Sequence, residues 1–505
     1  MSAAPVSWPW PESAAPARQS IELVADELYP AAQSLLAHGY RLGLACALDG
    51  RPGLQAVYLF TAGPPDRRVE LVVPLDKERP QVPSLASLSF PAGRFEREMK
   101  DLFGIEPVGH PLPRRLVLHQ HWPDGWHPMR HDAGPPPEMV DDAAPFPFVQ
   151  VQGPGVYEIP VGPVHAGLIE PGHFRFSVVG ETILKMKARL WFLHKGIEKL
   201  FEGREASSGI ELAERISGDT AVGHGLAYCQ AIEEATGTEV PVRATELRMI
   251  LLELERVYNH VADVGAMCND VGFGIVHAKA LTLRERLLRL NAAITGHRLL
   301  RGGVRLAGAK VAKLPTPADL QGIGAQFHEL VDVALGQGIV VDRFTGTGFL
   351  SPADAEAIGV LGVVARASGS SFDARVVHPL AALPDGFTPA GAQTGDVLGR
   401  FQTRVAEVDQ SLALLAELCV RPGPLEAEGV LNQAPGSGSG LIEGWRGAIA
   451  HRVELDREGR LKRVKVVDPS FFNWPALAVA LQDTIVPDFP LVNKSFNLSY
   501  AGNDL

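Results

Sequence analysis

The sequence lacks the features that mark several large classes of protein. Cysteine is rare: the 505 residues contain only four, and none of them forms a CxxC pair. No apolar run reaches about 18 residues, so we expect no membrane-spanning segment. The first 20 residues are rich in proline without an apolar core, so we expect no secretory signal and reduced, buried thiols. The net charge of −11 argues against nucleic acid as a partner.

Signatures of nucleotide binding are missing as well. No GxGxxG motif follows a predicted strand, and the glycine pair within residues 301–304 is not followed by the Gly-Lys-Ser/Thr of a phosphate-binding loop. We therefore expect that this chain does not itself bind NADH. Its hydrophobic content of 46% and charged content of 21% are those of a folded globular protein.

The hydrophobic pattern predicts an α+β fold that begins with a small α+β domain. Residues 21–37 have helical spacing, and residues 42–48, 55–61 and 68–74 have the alternation of short strands. We place this domain at residues 1–130.

A larger domain is expected at residues 150–505, after a Pro-rich linker at 131–149. Its centre, residues 183–420, is mostly helical in pattern and predicts a packed bundle with β-rich segments at both ends. The Gly/Ser-rich run at 434–440 indicates a loop.

Two short stretches have the spacing of a metal site whose ligands are absent. Cysteine at four positions would create two distant CxxC pairs, the first in an RxCGxCxxxH pattern and the second after Asp-Pro. These positions are Ser217, Thr220, Ser470 and Asn473. Neutral hydroxyl and amide groups are poor ligands for the nickel and iron that thiolates hold. The pattern predicts a site scaffold without its metal.

These stretches resemble the large subunit of membrane-bound nickel–iron hydrogenases, close to the hydrogenase-4 and formate hydrogenlyase type (group 4), and the related 49-kDa-type subunit of respiratory complex I. The RLLNH, DIGAM and RPGGV elements of the complex I subunit have similar counterparts here at residues 256–260, 263–267 and 301–304. The chain also continues beyond Asn473, as the uncleaved complex I protein does. The resemblance implies no nickel–iron centre, no hydrogen activation and no cofactor bound by this chain.

Residues 90–116 resemble a second family, the 30-kDa-type subunit of complex I. The run from Glu96 to Ile105, followed by His-Pro and Arg-Arg, carries this resemblance and implies a docking domain fused to the larger one. From the residues alone, the charged positions of this run are equally the polar face of a short helix, with Phe95, Met99 and Leu102 facing inward.

A Gly/Pro-rich segment at residues 162–175 carries His165 and His173. On spacing alone, it is either a loop whose histidines bind a ligand or a hairpin with satisfied surface histidines. It resembles the GPxH element of both families, and the resemblance implies that His173, rather than His165, contacts a quinone headgroup.

Glu198 lies in a segment that resembles the hydrogenase RGxE element. The resemblance implies proton transfer by Glu198, since a buried carboxylate with a raised pKa can relay protons. The alternative is a surface helical glutamate beside Lys195 and Lys199.

Asp219 is the unusual residue of the first stretch. A buried aspartate must be protonated or paired, and Arg215 is a nearby candidate, whereas an exposed turn needs neither. Arg215, Gly218 and His224 complete the expected cavity lining. Complex I has a quinone-binding tyrosine in this segment, but Gly218 stands at the corresponding position in this chain.

Taken together, the resemblance implies a peripheral subunit on the cytoplasmic side of the inner membrane. It would pass electrons from a 4Fe-4S cluster in a small partner subunit to a quinone-like acceptor. The expected partners are that iron–sulfur subunit, antiporter-like membrane subunits and an NADH-oxidising or other electron-input module. The alternative is a non-catalytic coupling subunit with a vestigial cavity.

Overall fold

The computed structural model of this chain describes residues 8, 10, 18–50, 53–140, 145–167 and 169–505. It contains two compact units, Met1–Phe148 and Val149–Leu505. Each unit combines helices with small sheets, so the predicted α+β class is confirmed. No helix in the described ranges is both long and apolar enough to cross a membrane.

The first unit is built on a four-stranded sheet in the order β1-β4-β3-β2, in which β1 and β4 are parallel. A second, two-stranded parallel sheet pairs β5 with β6. The elements are β1 (Gln19–Glu22), α1 (Ala25–Ala37), β2 (Arg41–Asp49), β3 (Leu54–Ala62), β4 (Arg67–Leu75), β5 (Gln81–Pro83), α2 (Phe90–Phe103) and β6 (Glu106–Val108). The helix predicted from residue 21 starts later, because β1 occupies that position and extends the sheet.

The charged residues of α2 do not form a solvent-facing surface. Glu96 is buried and accepts hydrogen bonds from Ser84 Oγ and the Leu85 N–H, both at 2.6 Å. Asp101 is also buried, and one of its oxygens accepts the N–H groups of the three residues 116–118. The polar-face interpretation is therefore wrong, since these carboxylates fix loops by satisfying backbone donors.

The second unit contains three three-stranded sheets around a helical bundle. Its first half comprises β7 (Val156–Val161), β8 (His173–Val179), β9 (Thr182–Arg189), α3 (Ile197–Phe201), α4 (Ala206–Ala213), α5 (Ala221–Thr236), α6 (Val242–Asp270), α7 (Gly274–Thr295), β10 (Val304–Arg305), β11 (Gly308–Lys310) and α8 (Pro317–Leu335). Its second half comprises α9 (Gly338–Phe344), α10 (Pro352–Ile358), α11 (Gly362–Ala367), α12 (Ala374–Val377), α13 (Val397–Cys419), β12 (Glu426–Glu428), β13 (Gly436–Gly444), β14 (Gly447–Leu455), β15 (Leu461–Val467), α14 (Pro469–Ala480), α15 (Phe489–Phe496) and α16 (Tyr500–Asp504).

The glycine-rich run predicted as a loop is the start of strand β13. Gly436, Gly438 and Gly440 lie on the strand face that packs against α5, and a Cβ atom at any of them would clash with a carbonyl oxygen of that helix. Alternate glycines therefore let the strand backbone approach the helix backbone. This close packing brings the β13–β14 turn to the start of α5.

Candidate functional site

The structure brings together the two stretches that carry the former ligand positions. Ser499 connects them: its Oγ lies 2.8 Å from Ser217 Oγ, and its N–H donates to Ser470 Oγ at 2.9 Å. A second contact joins His224 Nε2 to Asp468 Oδ2 at 3.0 Å. The segments around 217 and 470 thus share one site, although more than 200 residues separate them in the sequence.

Asp219 is paired, but its partner is Arg446 rather than Arg215. Arg446 lies in the β13–β14 turn, and its two terminal nitrogens each donate to one carboxylate oxygen of Asp219 at 2.7 Å. Arg215 is exposed and donates to the backbone carbonyl of Glu211 in the preceding helix α4. The expected pairing with Arg215 is therefore wrong, because that side chain extends away from the site.

The Asp219–Arg446 pair is held from several directions. Burial raises the pKa of Asp219, but Arg446 and the hydroxyls of Ser217 and Thr220 outweigh it and lower the value to about 2. The Arg446 guanidinium also lies 3.9 Å from the Trp445 ring centroid. Asp219 is consequently ionised at neutral pH and has no proton to transfer.

The backbone of the Asp219 loop is fixed independently of its side chain. The Asp219 carbonyl accepts hydrogen bonds from Tyr258, Asn259 and Trp445 at 2.9–3.1 Å. Glu255 accepts the first free N–H groups of α5, from Val222 at 2.7 Å and Gly223 at 3.0 Å. The loop that would carry two metal ligands is thus preorganised by side-chain contacts.

The four former ligand positions do not fit a nickel–iron centre. Ser217 and Thr220 donate to Asp219, and Ser470 accepts from Ser499. Asn473 both donates to and accepts from the backbone of Leu361. Hydroxyl and amide groups are weak ligands for such metals, and these groups are already hydrogen-bonded within the protein. No group of three or more acidic, histidine or cysteine side chains suited to a metal occurs in the described ranges.

A cavity of about 520 Å³ opens beside the Asp219–Arg446 pair. Ser217 and Gly218 line it, and most of the remaining wall comes from the C-terminal segment 489–500. A Cβ atom at Gly218 would meet no atom within 4 Å, so the missing side chain leaves space at this point. The cavity is large enough for a small organic molecule.

The loop histidines lie outside the lining of this cavity. His165 Nε2 is 2.7 Å from the Gly172 carbonyl, and His173 Nδ1 is 3.2 Å from the Gly162 carbonyl. The loop reaches the cavity instead through Ile169 and Glu170. Both histidines therefore hold the two ends of the loop together, and a direct ligand contact by His173 stays a prediction.

Glu198 is buried, as the proton-relay interpretation requires, but its electrostatics are the opposite of those expected. Its carboxylate receives Arg463 at 2.6 Å, Lys465 at 3.1 Å and the Val466 N–H at 3.0 Å. Burial favours a raised pKa, yet the two cations outweigh it and lower the pKa of Glu198 well below its usual range. The raised pKa is therefore wrong, because strand β15 supplies two cations, and the alternative of a surface glutamate is wrong as well, because Glu198 is buried.

His224 lies behind the cavity wall in a buried chain of polar groups. Its Nε2 contacts Asp468 at 3.0 Å, and its Nδ1 lies 3.1 Å from His451 Nε2. Burial and the neighbouring His224 lower the pKa of His451 well below its usual value. His224 therefore links α5 to β14 and α14 and does not line the cavity.

Several site residues are not predicted from the sequence. Arg446 is missed because its turn follows a run predicted as a loop. The C-terminal contributors, Asn493, Lys494, Asn497, Ser499 and Tyr500, belong to a tail for which the sequence indicates only its length. One signal is present: a two-residue turn between alternating strands at 444–447 predicts a hairpin whose tip can reach a site.

Three family profiles match successive parts of the chain. Residues 21–138 match the 30 Kd subunit of respiratory-chain NADH dehydrogenase, and residues 270–435 match its 49 Kd subunit. Residues 195–264, which include the Asp219 loop, match nickel-dependent hydrogenase.

Individual relatives also include both hydrogenase and NADH-quinone oxidoreductase subunits. Formate hydrogenlyase subunit 5 of Escherichia coli (strain K12) is 33% identical over 86% of this chain and 78% of its own length. Hydrogenase-4 component G of the same strain is 34% identical over 85% of this chain and 77% of its own length. The fused C/D subunit of NADH-quinone oxidoreductase from Bacteroides thetaiotaomicron is 29% identical over 81% and 82%, respectively.

A solved structure is also similar. A chain of the membrane-bound sulfane sulfur reductase, an archaeal respiratory membrane complex, superposes with a TM-score of 0.64 at 25% identity. The match covers 70% of this chain and 99% of the other.

Proposed function

Because the chain belongs to the family of fused 30-kDa/49-kDa-type complex I subunits related to group 4 hydrogenase large subunits, we propose that it passes electrons to a quinone-like acceptor bound beside Asp219 and Arg446. The chain is a subunit of a multisubunit oxidoreductase that forms part of a membrane complex. The electrons come from an iron–sulfur cluster in a small partner subunit, and no hydrogen is activated.

The observation that carries this proposal is the ion pair at the former metal position. The Arg446 guanidinium is locked on Asp219 and also lies within hydrogen-bond distance of Thr220, one of the four former ligand positions. Chemistry at this position then depends on hydrogen-bond donors and fixed charges, which suit an organic acceptor better than dihydrogen.

The cavity wall supports the same class of acceptor. One part is apolar, with Ile169, Phe489 and Leu498, and another part is polar and charged. A quinone ring has two apolar faces and two carbonyl oxygens, so it needs both kinds of surface.

We place the subunit on the cytoplasmic side of the inner membrane, with antiporter-like membrane subunits and an NADH-oxidising or other input module as further partners. The competing proposal is a coupling subunit with a vestigial cavity. It is supported by Gly218, which supplies no donor where complex I has tyrosine, and by the low pKa of Asp219, which excludes that carboxyl as a proton source.

A single-turnover experiment on the intact complex separates the two. The complex is reduced chemically, freed of reductant and mixed with ubiquinone-1, and quinol formation is followed. We expect quinol from the wild type, at least about 10-fold less from Arg446→Gln, and wild-type amounts from the exposed control Arg215→Gln. No quinol from the intact wild-type complex would favour the coupling role. If the complex instead released sulfide from inorganic polysulfide in the same assay, the acceptor would be sulfane sulfur and not a quinone. Sulfane sulfur is the substrate named for the similar archaeal complex.

A further inference from the structure

The charges around the cavity are not all neutralised by one another. Among the described residues, three carboxylic acid side chains and two basic side chains line it. They are Glu170, Asp219, Asp270, Arg446 and Lys494. Their partners decide which of them remain available to a bound molecule.

Arg446 is fully engaged. Its terminal nitrogens donate to Asp219, and its Nε donates to the Asn497 carbonyl at 2.5 Å. Glu170 accepts the Ala501 N–H at 3.1 Å and so ties the loop to the C-terminal segment. These contacts are internal to the protein and fix the shape of the wall.

Lys494 is the lining cation without such a contact. It is half-buried in the last turn of α15, and no hydrogen bond or ion pair joins it to another residue in the part of the chain that the structure describes. Lys494 interacts electrostatically with Asp270: burial raises the pKa of Asp270 and the nearby ammonium acts against that rise, but the two groups form no ion pair. An ammonium group on a four-carbon stem can therefore move toward a ligand without breaking an existing bond.

We propose that Lys494 binds the oxygen atom of the acceptor that becomes negatively charged on reduction. This inference rests on the proposed function and specifies its substrate class as acceptors whose reduction places charge on a carbonyl oxygen. One electron leaves the partner subunit's reduced cluster, which is oxidised, and enters the carbonyl compound, which becomes a radical anion; a second electron and two protons from water then complete the quinol. The Lys494 ammonium keeps its proton and donates a hydrogen bond to the resulting oxyanion, in the manner of other fixed donors aimed at developing charge.

A simpler role for Lys494 also exists. A cation in the last turn of a helix interacts favourably with the helix dipole, so Lys494 could serve only the stability of α15. That role predicts a small shift in melting temperature and no change in the use of the acceptor.

The test compares Lys494→Gln and Lys494→Arg with the exposed control Lys462→Gln, which makes the same change in net charge on strand β15. Single-turnover rates of the intact complex are measured over a range of ubiquinone-1 concentrations and at two salt concentrations. We expect Lys494→Gln to raise the concentration for half-maximal rate about 10-fold and to lower the maximal rate, because a charge-assisted hydrogen bond is lost. Lys494→Arg should stay within about 3-fold of the wild type, and Lys462→Gln should match it.

A second measurement does not depend on turnover. Amine acetylation of the oxidised complex, analysed by mass spectrometry, should label Lys494, and ubiquinone-1 should slow that labelling while leaving Lys462 unaffected. Wild-type concentration dependence in Lys494→Gln, or labelling that ubiquinone-1 does not change in a complex that makes quinol, would overturn the inference. A wild-type complex that makes no quinol would instead overturn the proposed function, and with it the carbonyl substrate class.

Discussion

Replacing Glu198 by glutamine tests whether this residue is a proton relay or a structural anion. Its side chain is 6% exposed and faces two cations, Arg463 and Lys465, that are similarly buried. Glutamine keeps the size of the side chain but removes the charge, so both cations lose their partner in a region with little water. Removing one member of a buried ion pair costs about 3–5 kcal/mol, because the remaining charge is left uncompensated.

That loss should be visible as a lower melting temperature of the second unit. For a unit of this length, a loss of about 3–5 kcal/mol corresponds to roughly 4–7 °C, from the usual unfolding entropy per residue. Differential scanning calorimetry of the intact complex, with and without the substitution, measures the shift. Quinol formation, scaled to the folded fraction, should stay within about 3-fold of the wild type, because Glu198 does not line the cavity and a carboxylate with so low a pKa holds no proton at neutral pH.

Glu202→Gln is the matched control on the same segment. Glu202 pairs with the half-exposed Lys199 at 2.7 Å, and such surface pairs contribute about 0–1 kcal/mol. We expect no resolvable change in melting temperature. The structural interpretation of Glu198 would be refuted if Glu198→Gln melted like the wild type and yet abolished quinol formation.

Three further outcomes are expected. Burial raises the pKa of Glu255 to about 8 from an ordinary value of 4.5, so its contribution to stability is complete below about pH 4.5 and is lost as the pH rises toward 8. The melting temperature should fall as the pH rises from 5 to 9, and it should fall less in Glu255→Gln. An equal fall in both proteins would contradict the raised pKa of Glu255. His173→Ala should lower quinol formation several-fold, since its bond to Gly162 holds the loop that carries Glu170 to the cavity; wild-type rates would retire that role. Elemental analysis of the purified complex should find no nickel in proportion to this chain, and one nickel per chain would overturn the argument from its donor groups.

The sequence was sufficient to predict that two distant segments form one site. The spacing of Ser217, Thr220, Ser470 and Asn473 resembles paired ligand motifs, and ligand pairs are useful only if the fold joins them. The fold does join the two segments, since Ser499 contacts both Ser217 and Ser470. The resemblance to fused complex I subunits is also confirmed by the relatives and family profiles.

Side-chain pairing could not be predicted in the same way. Local proximity suggested Arg215 as the partner of Asp219, and for Glu198 it offered only a surface position beside Lys195 and Lys199, because neighbours in the sequence are the only neighbours that a sequence shows. The actual partners lie more than 200 residues away, on the β13–β14 turn for Asp219 and within strand β15 for Glu198. The sign of a pKa shift depends on those partners, so an argument from burial alone gave the wrong direction for Glu198.

Asp219 and Arg446 are best understood as a single unit. If thiolates and metal were present at positions 217 and 220, the Arg446 guanidinium would face negatively charged sulfur. With serine and threonine at these positions, Arg446 alone would be a buried cation without a counter-ion, which is unfavourable by several kcal/mol. Asp219 supplies that counter-ion, and the hydroxyls of Ser217 and Thr220 donate to it instead of binding metal. The substitutions at the ligand positions therefore support the ion pair, and the ion pair gives those hydroxyls their hydrogen-bond acceptor. This mutual dependence gives the site a fixed arrangement of charges and hydrogen-bond donors, which is what the acceptor that we propose would need.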